Sequence, residues 1–298
     1  MENNNDKKLQ SIVTFALAGY GTYKLLKTIS RPSKKEKLKG SSVIITGASA
    51  GIGKAYAFAF AEQGCDLILA ARSKEKIDSL AEEIRQKYNV KVLSVPTDVS
   101  DEEQAKNLIN IALEQFDHID ILINNAGIGS YGYIHETSIS DMKKIMDVNF
   151  WGMVHCTHSI LPSMIRRRKG RIVNVSSVVG KIALPTMGAY SATKFAMEGF
   201  SDSLRVEMKK YGIGVTVICP TSTKTDFVGN AFDGNKLKDD IFGMSSERVA
   251  KETINAILDN KREHILGIGE NIGVTINSNF PNLIDNVLTL APKFILKE

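Results

Sequence analysis

The stretch Val43-Ile-Ile-Thr-Gly-Ala-Ser-Ala-Gly-Ile-Gly53 joins a short apolar run to a turn with three glycines, and a helix-forming sequence follows it. The apolar run predicts a strand that is buried on both faces. Glycines at such a turn let the backbone approach a pyrophosphate, and the N-terminus of the next helix offers free N–H groups and the positive end of its dipole. The stretch therefore predicts a dinucleotide-binding turn at Thr46, Gly47, Ser49, Gly51, Ile52 and Gly53.

The same strand-then-helix pattern recurs along the chain. Helix-start signals occur at Ser100-Asp-Glu-Glu103 and Ser138-Ile-Ser-Asp141. Repeated βα units predict an α/β fold with a doubly wound, Rossmann-like parallel sheet. We expect a single domain at residues 39–298, preceded by a hydrophobic and basic arm at residues 1–38. The predicted strands are Val43–Thr46, Asp66–Ala70, Lys91–Pro96, Ile119–Asn124, Arg171–Ser176, Val215–Cys219 and His264–Ile268.

The positive charge of the chain is concentrated near its N-terminus. The first 40 residues contain nine of the 38 Lys and Arg residues and three of the 33 Asp and Glu residues, which leaves 29 cations against 30 anions elsewhere. Nucleic-acid binding needs a basic patch on the folded domain, so no nucleic-acid partner is predicted. The run Arg166-Arg-Arg-Lys169 is interpreted as the end of a helix, where cations complement the helix dipole.

Residues 9–29 form the apolar part of the arm. No charged side chain occurs from Leu9 to Tyr23, and Leu25 and Leu26 extend this segment to the lower limit for a membrane-spanning helix if Lys24 snorkels to the interface. The apolar side chains also fit an interfacial amphipathic anchor, and a helix packed on the domain surface is a third alternative. The basic residues that follow favour a membrane-associated protein whose larger domain faces the cytoplasm. A soluble cytoplasmic protein is the other interpretation.

The cysteines and histidines indicate neither a disulfide framework nor a metal site. Cys65, Cys156 and Cys219 are scattered without zinc-ligand spacing, and their odd number favours a reducing compartment. His155 and His158 lie three residues apart on a predicted helix, but the sequence supplies no third ligand beside them. No bound metal is therefore predicted.

Tyr190 and Lys194 lie four residues apart in a segment that is predicted to be helical. Residues at this spacing share one face of a helix and can contact one ligand. A phenol has an unperturbed pKa of about 10, and a neighbouring cation favours the phenolate and lowers that pKa. The pair is therefore a candidate proton donor, with Lys194 expected to lower the pKa of Tyr190.

The end of the second predicted strand indicates which dinucleotide is bound. An acidic residue there accepts the ribose 2′-hydroxyl of NAD, whereas a cation accommodates the 2′-phosphate of NADP. This chain has Ala70-Ala-Arg-Ser73, in which Arg72 offers a planar guanidinium suited to phosphate. Arg72 and Ser73 are therefore candidate cofactor residues, and NADP is predicted in preference to NAD.

Together these motifs resemble the short-chain dehydrogenase/reductase family of the classical type, over residues 39 to about 268. The matching residues are the glycine turn at Thr46–Gly53, Asp98-Val99, Asn124-Asn-Ala-Gly127, Asn149, Ser177, and Tyr190 with Lys194.

The resemblance implies a catalytic role for four residues. Tyr190 would protonate the developing alkoxide or deprotonate an alcohol, and Ser177 would hydrogen-bond the substrate oxygen. Lys194 would contact the nicotinamide ribose, and Asn149 would hold a water that connects the lysine to solvent. Ser176 competes with Ser177 for this assignment, and the family spacing selects Ser177.

The resemblance also implies further cofactor contacts. The usual Pro-Gly after the sixth strand is Pro220-Thr221 here, and Ala50 stands where many NADP-dependent relatives carry a basic residue. Arg72 is therefore expected to be the main partner of the 2′-phosphate. The implied contacts are Asp98 and Val99 near the adenine, Asn125, Ala126, Gly127, Tyr190 and Lys194 near the nicotinamide ribose, and Pro220, Thr223 and Thr225 near the carboxamide.

The predicted activity is NADP(H)-dependent interconversion of a ketone or aldehyde and an alcohol. The arm and an apolar lid at Val228–Met244 favour a hydrophobic or lipid-derived carbonyl substrate. A non-catalytic dinucleotide-binding protein that senses redox state or serves as an interaction module is the alternative. The resemblance implies a homodimer or homotetramer. Candidate substrate-pocket residues are Ile128, Ser130, Tyr131, Val178, Leu184, Pro185, Met187 and Phe227.

Overall fold

The computed structural model describes residues 38–223 and 243–289. The chain divides into two units, Met1–Lys39 and Gly40–Glu298, and nearly all described residues belong to the second. Residues 9–29, Thr225, Phe227 and most of the predicted lid lie outside the described residues. No helix in the described parts of the chain is long and apolar enough to cross a membrane.

Seven parallel strands form the central sheet, in the order β3-β2-β1-β4-β5-β6-β7. The predicted doubly wound parallel sheet is therefore confirmed. The strand order reverses between β1 and β4, and ligands of such sheets bind in the crevice at the carboxyl ends of the strands there. The strands are β1 (Ser42–Thr46), β2 (Asp66–Ala71), β3 (Val92–Pro96), β4 (Ile121–Asn124), β5 (Gly170–Val175), β6 (Ile213–Cys219) and β7 (Glu263–Ile265).

Helices connect the strands and cover the sheet. Helix α4 (Ile139–Met146) continues through a π-helical segment, Asp147–Trp151, into helix α5 (Gly152–Arg167). Short 3-10 turns, Val178–Gly180 and Lys209–Tyr211, flank α6. The helices are α1 (Gly51–Glu62), α2 (Lys74–Lys87), α3 (Glu102–Gln115), α4 (Ile139–Met146), α5 (Gly152–Arg167), α6 (Gly188–Met208), α7 (Ser246–Leu258), α8 (Ile268–Asn279) and α9 (Pro281–Leu288).

The core follows from the two faces of the strands. Ile44, Ile68 and Leu122 are paired across β2, β1 and β4 and are fully buried. They pack with apolar residues of α3 and α5, such as Leu108 and Ile160. Alternate residues of the strands face the opposite side. There α1 packs against α7, and the hydroxyl groups of Tyr56 and Thr253 hydrogen-bond at 2.9 Å.

Two element boundaries differ from the prediction for local reasons. The last strand ends at Ile265, not Ile268, because Gly267 has φ of +122° and α8 begins immediately after it. The start of α3 is capped by Asp101, whose side chain accepts a hydrogen bond from the Gln104 N–H. The N-cap residue is therefore Asp101 and not Ser100, whose hydroxyl donates to Asp98 Oδ1 at 2.6 Å.

The basic run at Arg166–Lys169 ends a helix, as predicted. The last residue of α5 is Arg167, and Arg168 has φ of +52° in the left-handed region. Arg167 and Lys169 both form ion pairs with Asp120, at 3.0 and 3.2 Å. These cations therefore tie the end of α5 to the residues just before β4.

Candidate active site

The glycine turn after β1 has a backbone that only glycine accommodates. Gly47 and Gly51 have φ of +65° and +54°. At Gly53 a Cβ atom would lie 2.0 Å from the carbonyl oxygen of Gly47, so the first turn of α1 packs directly on the loop before it. Ala50, the N-cap residue of α1, is extended and provides no side-chain cap. The N–H groups at this helix start can therefore bind an anion.

Thr46 and Asn125 hold the glycine turn against the end of β4. Thr46 Oγ1 accepts hydrogen bonds from the N–H groups of Asn125 and Ala126, at 3.0 and 3.1 Å. Asn125 Nδ2 donates to the carbonyl oxygens of Thr46 and Gly47, at 3.0 and 3.3 Å. Both side chains are thus engaged within the protein, and they bring the two predicted dinucleotide segments together at the switch point.

The residues predicted to contact the adenosine end lie at the ends of β2 and β3. Arg72 follows β2, is exposed, and makes no hydrogen bond or ion pair within residues 38–223 and 243–289. Ser73 is the N-cap residue of α2. Asp98 Oδ1 accepts two hydrogen bonds from Ser100, one from its N–H and one from its hydroxyl. Val99 is buried against Gly152, and a Cβ atom on Gly152 would lie 2.6 Å from Val99 Cγ2.

Ser177 and Tyr190 meet at the carboxyl end of β5. Ser177 precedes the 3-10 turn at Val178–Gly180, and its side chain accepts from the Val179 N–H at 3.4 Å. The Tyr190 hydroxyl is hydrogen-bonded to the Ser177 side chain. Tyr190 is 7% exposed. Its side chain therefore presents a phenol that is shielded from water and already oriented by the serine.

Burial raises the pKa of Tyr190, with a further contribution from the Tyr131 phenol, while the hydrogen bond from Ser177 opposes the rise. Desolvation of the phenolate therefore outweighs the effect expected of Lys194, and the net change in the pKa of Tyr190 is opposite to the expected lowering. The Lys194 ammonium lies 5.5 Å from the centroid of the Tyr190 ring. Tyr190 is protonated at neutral pH.

Lys194 is buried, with 4% of its surface exposed, and its ammonium is bound by groups of the protein. Its ammonium donates to the Val175 carbonyl oxygen at 2.9 Å and lies 3.5 Å from Met197 Sδ. Burial lowers the pKa of Lys194 to about 8, and the neighbouring Cys219 and Glu198 oppose that change. The ammonium thus lies on the active-site face of α6, near the Glu198 carboxylate one helical turn further along the helix.

Asn149 lies in the π-helical segment and is fully buried. Its Oδ1 accepts from the Ile128 N–H at 2.8 Å, and its Nδ2 donates to the Ile128 carbonyl oxygen and to Thr193 Oγ1, at 3.0 and 3.1 Å. Both amide hydrogens are therefore used within the protein. A relay water of the kind that the family resemblance implies would have to be held by other groups, such as the backbone.

Thr193 is the positioning residue that sequence reasoning missed. Its hydroxyl donates to the Tyr190 carbonyl oxygen at 2.7 Å and accepts from Asn149. It lies inside the Tyr190-to-Lys194 spacing, and its hydrogen bond to Asn149 joins α6 to the π-helical segment Asp147–Trp151. The only signal in the sequence is a polar side chain, that of Thr193, between the two motif residues Tyr190 and Lys194.

Apolar residues pack against the Tyr190 side chain. Ile145, Val179 and Tyr190 form a small buried cluster. Four of the predicted pocket residues pack against it, namely Ile128, Val178, Leu184 and Met187. Ser130 and Tyr131 are buried nearby in the chain, after the Asn-Asn-Ala-Gly turn. The substrate side of the site is therefore largely apolar in its described part.

The segment after β6 contacts the serine turn. The Pro220 carbonyl oxygen accepts hydrogen bonds from the Val178 N–H at 3.0 Å and from the Ser177 hydroxyl at 3.4 Å. Thr223 Oγ1 donates to the Thr221 carbonyl oxygen at 3.1 Å. Pro220 thus helps to position Ser177, a contact that the sequence did not indicate.

The cysteines and His155 pack within the protein and are not grouped as metal ligands in the described residues. All three cysteines are buried, and none of them forms a disulfide bond. His155 lies on α5 and its Nδ1 is 3.1 Å from the Val99 carbonyl oxygen. Within the described residues, no group of three or more His, Cys, Asp or Glu side chains could hold a metal ion.

Comparisons with known proteins agree with this geometry. The family profile described as short chain dehydrogenase matches residues 41–236. Dehydrogenase/reductase SDR family member 7B of Xenopus laevis is 34% identical over 298 residues, which cover 95% of this chain and 91% of the relative.

Two solved structures have the same architecture. A short chain dehydrogenase/reductase from Burkholderia phymatum in complex with NAD has a TM-score of 0.76 and 26% identity, and the match covers 83% of this chain and 96% of that one. A short-chain dehydrogenase from Sphingobium yanoikuyae in complex with NADPH has a TM-score of 0.71 and 28% identity, and the match covers 82% and 96%.

Proposed function

The chain belongs to the short-chain dehydrogenase/reductase family of oxidoreductases, and we propose that it reduces a hydrophobic ketone or aldehyde with NADPH and catalyses the reverse oxidation of the alcohol. The observation that supports this proposal most directly is the buried Tyr190 hydroxyl, hydrogen-bonded to Ser177 beside an apolar cluster. Such a group can donate a proton to a carbonyl oxygen in a site that excludes water.

The cradle after β1 fits a nicotinamide dinucleotide. The uncapped start of α1 offers free N–H groups that suit a pyrophosphate, and Gly47 and Gly53 let the turn pack closely on Ala126 and on its own backbone so that this helix start is held at the end of β1. Asp98, Val99, Asn125, Ala126 and Gly127 would line the remainder, as their family positions imply. The bound cofactor would supply or accept the hydride.

The four proposed catalytic residues divide the remaining work. Ser177 and Tyr190 would bind the carbonyl oxygen, and Tyr190 would transfer its proton as negative charge develops there. A raised pKa keeps this proton on Tyr190 through the neutral range, so that it is available for transfer to a carbonyl oxygen. Lys194 would hold the nicotinamide ribose and stabilise the phenolate that remains, while Asn149 and Thr193 keep α6 in place.

Turnover with a panel of carbonyl compounds tests the proposal. Purified protein is incubated with NADPH or NADH and with aliphatic ketones, aldehydes and 3-oxoacyl compounds, while nicotinamide absorbance is followed. Oxidation of NADPH that depends on the added carbonyl supports the enzyme. Tight cofactor binding without turnover on any member of the panel would favour a redox sensor or interaction module instead.

Arg72 is expected to determine the preference for NADP. It is exposed at the end of β2 and makes no hydrogen bond or ion pair with the described part of the protein, so its guanidinium can bind a 2′-phosphate. Arg72→Gln is expected to raise the KM for NADPH about 10- to 100-fold and to leave the KM for NADH unchanged, because a charge-assisted hydrogen bond contributes about 1.5–3 kcal/mol.

Lys106→Gln is the matched control for Arg72→Gln. Lys106 is an exposed cation on α3 and is paired with Glu103 at 3.6 Å. Lys106→Gln removes one positive charge, as Arg72→Gln does, and should change neither the KM for NADPH nor the KM for NADH. Equal changes in the two cofactors after Arg72→Gln would contradict the proposed contact.

We also propose that residues 9–29 associate with a membrane and place the catalytic domain on the cytoplasmic side. The support is the uncharged stretch and the basic residues that follow it. A variant lacking residues 1–30 is expected to leave the membrane fraction and to retain turnover. Release of the full chain by alkaline carbonate would indicate an interfacial anchor, and retention a spanning one. A truncated protein that still sediments with membranes would contradict the anchor.

A homodimer or homotetramer built on α5 and α6 fits the exposed apolar side chains in this region. Trp151, Phe195 and Val206 are 47%, 45% and 75% exposed. Exposed aromatic and aliphatic groups on adjacent helices are typical of subunit contacts.

A further inference from the structure

A charged cluster lies beneath the proposed catalytic residues. The Lys181 ammonium is 2.7 Å from Glu198 Oε2 and also contacts Glu263 Oε2. The three side chains are 20%, 10% and 26% exposed, so the ion pairs are largely shielded from water. We call these three residues the Lys181 cluster. Shielded charges that keep two partners hold their geometry more firmly than surface pairs.

Each member of the Lys181 cluster belongs to a different element. Lys181 directly follows the 3-10 turn Val178–Gly180, which begins after Ser177. Glu198 lies on α6, one helical turn beyond Lys194 and two beyond Tyr190. Glu263 is the first residue of β7. The cluster thus joins the turn that carries the serine to the helix that carries the tyrosine and the lysine.

The turn and the helix are also in close contact above the cluster. A Cβ atom on Gly180 would lie 2.8 Å from Ser176 Oγ and 3.1 Å from the Cβ of Lys194. The turn therefore sits directly on the backbone of α6 at the catalytic lysine. A small displacement of Lys181 would be transmitted through three residues to Ser177, because close-packed contacts of this kind have little free space.

Glu198 is the carboxylate that acts on the charge of Lys194. Tyr190 and Glu198 flank Lys194 on α6, and Cys219 faces it from β6. The Cys219 thiol donates to Glu198 Oε1 at 3.3 Å. Lys181 and Glu263 complete the group, which then contains two ammonium and two carboxylate charges. Removing one carboxylate leaves an uncompensated positive charge in a shielded region.

We propose that Glu198 is a positioning residue, which latches the Ser177 turn to α6 through Lys181 and balances the charge of Lys194. This inference rests on the proposed oxidoreductase function, in which Ser177 and Tyr190 act on one carbonyl oxygen. Neither carboxylate of the Lys181 cluster touches substrate or cofactor in this assignment. Glu198 instead affects the placement of Ser177 relative to Tyr190 and the pKa of Lys194.

Glu198→Gln tests the latch with nearly unchanged side-chain volume. We expect kcat to fall about 10- to 100-fold, as for other small misplacements of reacting groups, while the KM for NADPH stays unchanged. The activity of the wild type should decline as pH rises through the pKa of Lys194, about 8. Because Glu198 raises that pKa, the variant should lose activity at lower pH than the wild type.

Asp202→Asn is the matched control. Asp202 lies one helical turn beyond Glu198 on α6 and also binds two cations, Arg205 at 2.5 Å and Arg262 at 2.6 Å. It is farther along α6 from Lys194 and forms no ion pair with Lys181, whose charge acts on it only at longer range. The control should lose stability to a similar or smaller degree, and its kcat and pH profile should match those of the wild type.

Hydrogen exchange supplies a measurement that does not depend on turnover. The N–H groups of Gly180, Lys181 and Ile182 donate within the turn, and that of Val178 donates to Pro220. Glu198→Gln should speed exchange in a peptide that spans 178–182, and Asp202→Asn should not. Wild-type protein without turnover would overturn the proposed function alone, and the exchange data would still test the latch. Unchanged exchange in Glu198→Gln, or an unchanged kcat and pH profile in an active enzyme, would overturn the latch.

Discussion

Tyr190→Phe is expected to lower kcat for carbonyl reduction by about 10²- to 10⁴-fold, the range typical of losing a general acid. The substitution removes the hydroxyl that is hydrogen-bonded to Ser177 and keeps the buried ring among Ile145 and Val179. Folding and the Kd for NADPH should therefore change little. Stopped-flow or steady-state turnover, together with fluorescence titration of the cofactor, measures the two quantities separately.

Tyr133→Phe is the control for this loss. Tyr133 lies in the loop after β4, and it is 40% exposed. Its hydroxyl has no place in the proposed chemistry, and turnover should be close to that of the wild type. If Tyr190→Phe retained wild-type kcat while binding NADPH normally, Tyr190 would not be the proton donor.

The second large effect is expected from Gly53→Ala. The added methyl group would lie 2.0 Å from the Gly47 carbonyl oxygen and 2.8 Å from Asn125 Nδ2. Relief of this overlap must move either the start of α1 or the loop that it packs on. We expect the free energy of unfolding to fall by about 3 kcal/mol or more, at the upper end for overpacked sites. Dinucleotide binding should weaken with it.

Gly199→Ala separates this steric effect from the general effect of replacing a glycine. Gly199 lies inside α6, and a Cβ atom there would meet no atom within 4 Å. Alanine at a helix interior is favoured over glycine by about 0.5–1 kcal/mol, so this variant should be slightly more stable. Urea unfolding of the two variants provides the comparison, and equal stability of both would contradict the close packing at Gly53.

The strands and the glycine turn were predictable because their signals are local. Continuous apolar runs such as Ile121–Asn124 identify buried strands wherever they occur, and the turn residues are determined by backbone sterics. Asn149 and Thr193 were harder to interpret, because their hydrogen bond joins residues 44 positions apart. Spacing along the chain contains no information about such contacts.

The protonation of the site illustrates the same limit. Sequence reasoning placed a cation near Tyr190 and expected a lowered pKa, but it had no measure of burial, which dominates in the structure. The Lys181 cluster was missed for a related reason, since Lys181, Glu198 and Glu263 each resemble ordinary surface charges when they are considered one at a time.

The cross-tie between Thr46 and Asn125 has a consequence for the order of events during synthesis of the chain. Its partners lie 79 residues apart, on either side of two complete strand–helix repeats. A nascent chain that has folded only its first three strands lacks the Asn125 and Ala126 donors that hold the glycine turn. Contacts between such distant residues form late because the intervening loop must first close. Dinucleotide should therefore protect this protein from proteolysis only after the fourth strand has emerged and docked.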